Sequence, residues 1–431
     1  MIEVIFEMFG YSFLVRAFIV GALVSFCAAL LGVSLVLKRY SMIGDGLSHV
    51  GFGSLALATA LNAAPLSVAI PVVIAAAFLL LRLSENSKIK GDAAVALVST
   101  GSLAVGVIII SQTTGMNTDV CNYLFGCILA MARADVYLSI TLSVIVLILF
   151  ILFYHKLFII TFDETFAKAS GIKTGVYNML IAFLTALTIV LGMRIMGAML
   201  ISSLIIFPAL SSMRIFKKFK SVTVCSAIIS ILCFFIGVVI SYFYATPTGA
   251  SVVLVNLIVF VLFWLIETLR RSALLKKAVG IAVAITMTTT FFVTGNSKVY
   301  AESGTASQRN TVVIRERMFL AQVNDIYLNP DEYLNRTIKL EGIFFAGQND
   351  GVPFHYVIRY APGGCCGGDG MVGFEVRKDS GGHVREFPAN NSWVEAAGVL
   401  KLYERGSLRQ LYLELSSLTV LNTKGAEFVR Q

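Results

Sequence analysis

The chain has 431 residues, of which 57% are hydrophobic and 14% are charged. Soluble globular domains carry about 25% charged residues, so this composition excludes a protein built only from such domains. The net charge of +9 lies entirely in residues 1–295, which hold 19 Lys and Arg but only 10 Asp and Glu. Because these basic residues separate apolar segments, they indicate a membrane protein and not a nucleic-acid-binding one.

The first part of the chain is dominated by long apolar segments. A bilayer core about 30 Å thick needs roughly 20 apolar residues per helix. We therefore predict a mainly α-helical, polytopic membrane protein of about nine to ten transmembrane helices. The candidate spans are 11–37, 45–63, 65–82, 93–111, 136–154, 176–193, 195–213, 221–244, 249–268 and 278–295. The apolar run 120–132 is too short to cross and is predicted to be re-entrant or interfacial.

The distribution of Lys and Arg predicts the orientation. Basic clusters follow every odd-numbered span, at Lys38–Arg39, Arg82–Lys90, Lys156–Lys173, Arg214–Lys220 and Arg270–Lys277. All five are predicted to face the cytoplasm of a bacterial cell, which places the chain's start and everything after residue 295 outside. Arg133 and Arg194 are exceptions to the pattern. The last span resembles an internal signal sequence, either cleaved or retained, and we favour retention as an anchor.

Two ionisable residues open the second span. Asp45 and His49 are spaced i, i+4, which places both side chains on one helix face. Ionisable groups inside spans cost about 2.5–3.5 kcal/mol each and usually mark function. A carboxylate and a neutral imidazole suit zinc and manganese-like divalent cations. Four glycines between residues 44 and 53 make this helix thin, so that another helix can approach closely.

The same residues also allow a structural interpretation. Asp45 would then cap the helix, and His49 would bond a neighbouring backbone group. Two ligands are also too few for a tight metal site. If the chain dimerises about this helix, two Asp and two His supply four ligands and two negative charges to one divalent cation.

Five segments carry a family resemblance over about residues 10–269. They are, in order, Lys38–Leu57, Gly91–Ser111 followed by Asp119–Leu129, Phe162–Ile172, Met196–Ser212 and Tyr244–Val255. Their order and spacing resemble the permease subunits of ABC-type zinc and manganese importers. The resemblance implies a permease that forms a homodimer in the membrane lipid, binds a dimer of a cytoplasmic ABC ATPase subunit and receives metal from an extracytoplasmic metal-binding protein.

The resemblance also implies a metal path. The family's D-x-x-x-H motif lines that path near the dimer axis, and it matches Asp45 and His49. Many relatives have a proline four residues after the His, where this chain has Gly53. This departure leaves the choice between zinc and manganese open.

The stretch Phe162–Gly175 resembles the family's coupling helix, which contacts the ATPase. Acidic residues in its first turn and a glycine stop agree with a short helix. The residues expected at the ATPase groove are Asp163, Glu164, Ala169 and Gly171. An ordinary solvated connection is the alternative. The sequence has no GxxxxGKS/T phosphate loop, so we expect no enzyme activity here and assign ATP hydrolysis to the separate subunit.

Residues 296–431 lie outside this resemblance. They contain short segments in which apolar and polar residues alternate. A polar linker at about 300–316 and a helix around 317–334 are predicted to precede five strands. The strands are predicted at Thr337–Phe345, Phe354–Tyr360, Val372–Arg377, Trp393–Tyr403 and Leu411–Leu421. Five short strands in about 100 residues are typical of a small all-β barrel, with an OB-like one favoured.

These segments divide the chain into three predicted parts. Residues 1–275 form the transmembrane permease domain, 276–316 the last anchor and linker, and 317–431 the extracytoplasmic β-barrel domain. The last part resembles the C-terminal domain of bacterial permease-associated proteins in which a CC-x-x-D motif recurs. Because this part is net neutral and external, we expect no nucleic-acid partner.

The CC-x-x-D motif here consists of Cys365, Cys366 and Asp369 in a Gly-rich segment. Adjacent Cα atoms lie about 3.8 Å apart, below the roughly 4.4–6.8 Å of most disulfides, so a bond between these cysteines would be strained. Two thiols with Asp369, His355 or His383 would suit zinc. Metal binding, redox activity and a purely structural role stay open as alternatives.

Together these observations predict the transmembrane subunit of an ABC importer. It would move a divalent transition-metal ion, zinc favoured, into the cytoplasm by ATP-driven alternating access. No permanently bound cofactor is expected, only the transported metal. Manganese or iron import by the same architecture, and a non-transporting membrane-anchored metal sensor, are the alternatives.

Overall fold

A computed structural model describes most of the chain in two parts, a helical bundle and a C-terminal sheet domain. The described residues are 8, 10–61, 63–86, 91–113, 131–244, 246–271, 311–349, 352–361, 370–378, 386–405 and 408–429. The predicted last span at 278–295 and all but the end of the predicted interfacial run 120–132 lie outside these residues.

The helices of the bundle follow the predicted spans closely. They are α1 (Ser12–Leu37), α2 (Ile43–Ala60), α3 (Pro65–Asn86), α4 (Gly91–Thr113), α5 (Arg133–Leu152), α6 (Tyr154–Phe162), α7 (Glu164–Ala169), α8 (Thr174–Met196), α9 (Ala198–Ile215), α10 (Phe219–Tyr244) and α11 (Thr248–Arg271). Within the described ranges, eight helices are long and apolar enough to cross a membrane. Those eight exclude α2, which carries Asp45 and His49, and the predicted total of nine to ten stays a prediction.

Helix α1 lies at the centre of the bundle and packs against α5, α8, α9 and α10. Small residues allow the close packing, because a Cβ placed on Gly32 would lie 2.0 Å from the carbonyl oxygen of Ile205 in α9. Hydroxyl groups add polar contacts between helices, such as the 3.0 Å bond from Ser230 to the carbonyl of Ser25. In a lipid environment, such small-residue contacts and interhelical hydrogen bonds drive helix association.

Helix α6 has no counterpart among the predicted spans. Its nine residues bury Leu157 and Ile160, and the ring of Phe158 packs 5.1 Å from that of Phe219 at the start of α10. This short amphipathic helix connects α5 to α7 and holds α7 against the end of the bundle.

The C-terminal domain is a six-stranded sheet with one helix. Its elements are β1 (Thr311–Val313), α12 (Phe319–Leu328), β2 (Thr337–Asn349), β3 (Val352–Ala361), β4 (Gly370–Lys378), β5 (Trp393–Arg405) and β6 (Leu408–Val420), with single 3-10 turns before and after α12. The strand order is β1-β2-β3-β4-β6-β5, and β2 also pairs with β5, so five strands form a closed ring of pairings. Strand β1, which pairs in parallel with β2, lies inside the segment predicted as linker.

Candidate functional site

Asp45 and His49 lie side by side on α2. Met42 is the N-cap residue of this helix, so Asp45 is the third helical residue and not the cap. Oδ2 of Asp45 lies 3.8 Å from Nε2 of His49, too far for a hydrogen bond. Two donors that each bind one zinc ion at about 2.1 Å in a tetrahedral arrangement lie about 3.4 Å apart. The spacing of the pair is therefore close to that of two ligands sharing one ion.

The imidazole of His49 has a ring nitrogen without a partner. Its Nδ1 is buried and makes no hydrogen bond within the described part of the chain. A buried polar atom left unpaired costs about 1–3 kcal/mol, so such atoms are uncommon. The side chain of Asp45 is half-exposed at 51%, whereas that of His49 is 22% exposed. The pair thus faces a side of α2 that the protomer leaves partly open.

Glycines bring neighbouring helices unusually close to α2. A Cβ placed on Gly46 would lie 2.7 Å from the side chain of Val95 in α4, and one on Gly53 would lie 2.8 Å from the carbonyl oxygen of Ser102. Gly51 packs near Val73, the ninth of the 22 residues of α3. The turn that carries His49 therefore lies near the middle of the bundle and is walled by closely packed helices.

The described part of one protomer places two metal-ligating side chains, Asp45 and His49, at this point. Among the residues that the structure describes, no group of three or more His, Cys, Asp or Glu side chains is placed to hold a metal ion. Within that part of the chain, Asp45 and His49 are therefore the two ligands of these types at this point.

The predicted coupling segment forms the six-residue helix α7 at one end of the bundle. Asp163 caps it, because its Oδ1 accepts a 2.9 Å bond from the N–H of Phe166 and a 2.5 Å bond from the hydroxyl of Thr165. These bonds lower the pKa of Asp163 below its ordinary value. At the other end, Gly171 adopts φ +79°, the left-handed conformation that ends many helices. Asp163, Ala169 and Gly171 are exposed, and Glu164 is partly buried.

The C-terminal domain docks on the opposite end of α1. Arg16 donates hydrogen bonds to Asp325 (2.5 Å) and Glu332 (2.7 Å) of that domain. Glu332 also accepts a hydrogen bond from Arg133, the first residue of α5. Glu332 thus bridges α1 and α5. Arg133 was an exception because it lies on the predicted outer side, where basic residues are otherwise rare. Its ion pair with Glu332 gives a local reason for its position.

The predicted site in the C-terminal domain is not described. Cys365, Cys366 and Asp369 lie outside the described residues, as does His383. His355 lies six residues before Ala361, the last described residue before that segment, which is about 20 Å along a strand. Its ring stacks on Phe387 with centroids 4.1 Å apart. Metal binding by the cysteines stays a prediction.

The whole helical part matches a single family model. Residues 10–267 match the model described as the ABC 3 transport family. The chain belongs to this family. Residues 293–428 match the model of the DUF1980 C-terminal domain, so a second family accounts for the fused part. With the metal-transport relatives described next, this match confirms the resemblance to metal-importer permeases: the chain is a multi-pass bacterial metal-transport ABC permease.

Individual relatives of this ABC 3 family member carry the names of different metals. The Manganese transport system membrane protein MntC of Halalkalibacterium halodurans is 27% identical over 59% of this chain and 88% of its own. The High-affinity zinc uptake system membrane protein ZnuB of Haemophilus influenzae is 31% identical over 58% of this chain and 97% of its own. The solved structure of PsaBC from Streptococcus pneumoniae in complex with Fab is 30% identical, with a TM-score of 0.56 over 61% of this chain and 95% of that one.

In this ABC 3 family member, the contacts that join α1 to the C-terminal domain and to α7 were not predicted from the sequence. For Arg16 the sequence offers one indication of a functional contact, because it is a charged residue within a long apolar span. Lys38, which contacts Glu164 of α7, had none, because it lies within an ordinary basic cluster. The exposed ring of Phe166 on α7 was also not singled out.

Proposed function

We propose that this chain is the transmembrane subunit of an ABC importer that moves a divalent transition-metal ion, zinc favoured, into the cytoplasm by alternating access. The observation that carries the proposal is the Asp45–His49 pair on one face of α2, 3.8 Å apart, with an unpartnered imidazole nitrogen on His49, one turn further into the bundle than Asp45. Imidazole nitrogen favours zinc over manganese in the usual order of metal affinities. Manganese or iron import by the same architecture is the alternative.

The transported ion is held between two copies of the chain. Each copy contributes one Asp and one His, which gives four ligands and two negative charges around the divalent cation. The half-exposed carboxylate of Asp45 and the partly exposed imidazole of His49 support this arrangement, because lipid does not solvate them. A partner helix would cover these groups in a homodimer.

A separate cytoplasmic ATPase dimer supplies the energy and contacts α7. Exposed aromatic rings at Phe162 and Phe166, 58% and 60% exposed, support a protein partner at this helix. Asp163, Glu164, Ala169 and Gly171 form the part of the contact that the family motif implies.

The C-terminal domain lies outside the cell, where an extracytoplasmic metal-binding protein also delivers the ion. This assignment is supported by its position, because it docks at the start of α1 whereas α7 lies near the end of α1, a helix of 26 residues or about 39 Å. The ring of strand pairings and the parallel β4–β6 pair support an OB-like fold. The proposed topology counts α2 as a span and includes the span predicted from the sequence at 278–295, which gives ten helices with the eight of the described residues.

Metal uptake by the assembled complex tests the proposal. The purified permease is reconstituted with its ATPase subunit in vesicles that contain a fluorescent zinc indicator. We expect Asp45→Ala and His49→Ala each to lower ATP-dependent zinc uptake at least tenfold. Asp92→Ala, which removes an acidic residue from the first turn of α4, serves as the matched control and should retain uptake.

Two results would contradict parts of the proposal. Undiminished uptake by the Asp45→Ala and His49→Ala double variant would refute the assigned metal path. Competition among zinc, manganese and iron in the same vesicles tests the preference, and failure of zinc to compete would refute zinc as the favoured cargo.

A further inference from the structure

A single lysine joins the end of α1 to two other helices. Lys38 directly follows α1, and its side chain is only 8% exposed. Its Nζ lies 3.6 Å from Oε2 of Glu164 in α7 and donates a hydrogen bond to Oδ1 of Asn178 in α8. Asn178 is itself buried. Lys38 therefore contacts both the proposed ATPase-contacting helix and the helix that follows it.

The turn after Lys38 is tightly constrained. The N–H of Arg39 bonds the carbonyl of Val36 at 3.1 Å, and the N–H of Tyr40 bonds the carbonyl of Leu35 at 2.8 Å. These are the two bonds of a Schellman motif. Arg39 adopts φ +61°, a left-handed conformation that costs a non-glycine residue about 1–2 kcal/mol. Strain of this kind persists only where the surrounding contacts hold it in place.

The constrained turn leads directly into the helix that carries the metal-path residues. The N–H of Ile43, the first residue of α2, bonds the carbonyl of Tyr40 at 3.0 Å. Asp45 follows two residues later, in the first turn. One ion pair and one short turn thus separate α7 from Asp45.

We propose that Lys38 is a positioning residue that transmits displacement of α7 to α2, and hence to Asp45 and His49. This inference rests on the proposed function, since it takes α7 as the ATPase contact and Asp45 as part of the metal path. A shift of α7 pulls on Lys38 through Glu164. Because the turn at Arg39 is rigid, the start of α2 follows.

The charges around Glu164 fit this role. Burial acts to raise the pKa of Glu164, but its hydrogen bond with Lys168 and the nearby charge of Lys38 lower that pKa overall. The carboxylate is therefore ionised and attracts both lysines. Lys168 lies 3.1 Å away within α7 itself and is 63% exposed, so it does not join Glu164 to another helix. Lys38 makes that connection, and Asn178 of α8, which accepts the hydrogen bond from Lys38, also hydrogen-bonds Glu164.

The experiment measures how much metal moves per ATP hydrolysed. The full permease and its ATPase subunit are reconstituted in vesicles, and zinc entry and phosphate release are followed together for Lys38→Met, Lys38→Arg and the matched control Lys217→Met. Lys217 is an exposed lysine in the connection between α9 and α10, and its substitution removes the same charge from a neighbouring loop. Amide exchange at the start of α2, with and without ATP, is measured on the same complexes.

We expect the Lys38→Met permease to remain bound to the ATPase subunit, and the complex to hydrolyse ATP. The number of zinc ions moved per ATP hydrolysed should fall at least tenfold. In this variant the ATP-dependent change in amide exchange at the start of α2 should disappear, Lys38→Arg should restore part of both, and Lys217→Met should match wild type. A wild-type ratio and a wild-type exchange response in Lys38→Met would overturn the inference. Zinc uptake that survives loss of Asp45 and His49 would instead overturn the proposed function.

Discussion

Arg16, in the second turn of α1, donates a 2.5 Å hydrogen bond to Asp325, whose side chain is completely buried in the docked C-terminal domain. Asp325 also accepts hydrogen bonds from the amide of Asn329 and the hydroxyl of Tyr333. Asn329 in turn donates a 3.0 Å bond to the carbonyl of Met131, just before α5. One continuous polar network therefore attaches the domain to two transmembrane helices.

Removing one member of the Arg16–Asp325 pair should release the domain. We expect Arg16→Met to weaken docking by about 3 kcal/mol, or roughly a hundredfold, because it leaves Asp325 buried without its counter-charge. Asp325→Asn should weaken docking less, because Arg16 keeps its 2.7 Å pair with Glu332. The measurement is hydrogen–deuterium exchange of α12 in the full chain, which should accelerate in both variants.

A surface ion pair in the same domain provides the control. Lys339 and Glu395 lie 2.9 Å apart on partly exposed side chains of β2 and β5. Glu395→Gln should leave exchange of α12 unchanged, since exposed pairs contribute only about 0–1 kcal/mol. Equal acceleration by Glu395→Gln would show that the effect reflects general loosening of the domain and not loss of the docking contact.

Docking should also weaken in acid through Glu332. Burial acts to raise the pKa of Glu332, but the hydrogen bond from Arg133 and the charge of Arg16 lower it below its ordinary value of 4.5. A lowered pKa means that ionised Glu332 stabilises the docked state above pH 4.5, and that this contribution is lost as pH falls through the lowered pKa. Exchange of α12, corrected for its intrinsic pH dependence, should therefore rise below pH 4.5.

A comparison with Glu332→Gln isolates this effect. Burial raises the pKa of the neighbouring Asp325, so its protonation acts in the opposite direction. Subtracting the exchange rate of α12 in Glu332→Gln from that in wild type at each pH removes the contribution of Asp325. A difference that stays constant between pH 7 and pH 3 would contradict the assigned role of Glu332.

Local patterns were sufficient to predict most of the helices and strands. The transmembrane helices are recognisable because each needs about 20 apolar residues, and strands such as β2 because their apolar residues alternate. Strand β1 was not predicted because three residues are too few to show the alternation of apolar and polar side chains that marks a strand. Its stability comes from pairing with β2, where Thr311 lies opposite Thr337. Helix α6 was missed because nine residues are too few for a span and its apolar face is defined by contact with Phe219.

The candidate site was predictable only where its residues are neighbours in sequence. The i, i+4 spacing places Asp45 and His49 on one face of α2, as expected from helix geometry. Lys38 and Glu164 are 126 positions apart, and Arg16 and Asp325 are 309 positions apart, so no periodicity relates the members of either pair. Such pairs depend on how whole helices and domains pack.

Gly53 should be intolerant of any side chain. A Cβ there would lie 2.8 Å from the carbonyl oxygen of Ser102, closer than real Cβ atoms approach backbone. Gly53→Ala should therefore push α4 away from α2, lowering both the unfolding temperature in detergent and metal uptake. Gly101→Ala in α4 is the matched control, since a Cβ there meets nothing within 4 Å. It should be neutral or stabilise by about 0.5–1 kcal/mol. Equal behaviour of the two variants would contradict the close α2–α4 contact.

Arg359 should be the most costly single residue to remove from the C-terminal domain. Its side chain is almost completely buried, donates to the carbonyl of Glu341 (2.8 Å) and the carboxylate of Glu316 (3.1 Å), and lies between the rings of Phe319 and Trp393. Arg359→Met removes the donor to the carbonyl of Glu341 and the buried cation between the two rings, whereas Glu316 keeps the N–H of Ala426, and we expect a loss of about 3 kcal/mol in unfolding free energy.

Fluorescence of Trp393 reports this loss directly once Trp264, the other of the chain's two tryptophans, is replaced by Phe. Arg377→Met in the same background is the control, because Arg377 also stacks on aromatic rings, 3.8 Å from the centroid of Tyr403, but is 41% exposed. Its partner Glu375 keeps a 2.8 Å hydrogen bond from the hydroxyl of Tyr403, so the loss of Arg377 should cost about 1 kcal/mol. If both variants unfold at the same denaturant concentration, burial of Arg359 is not what stabilises the domain.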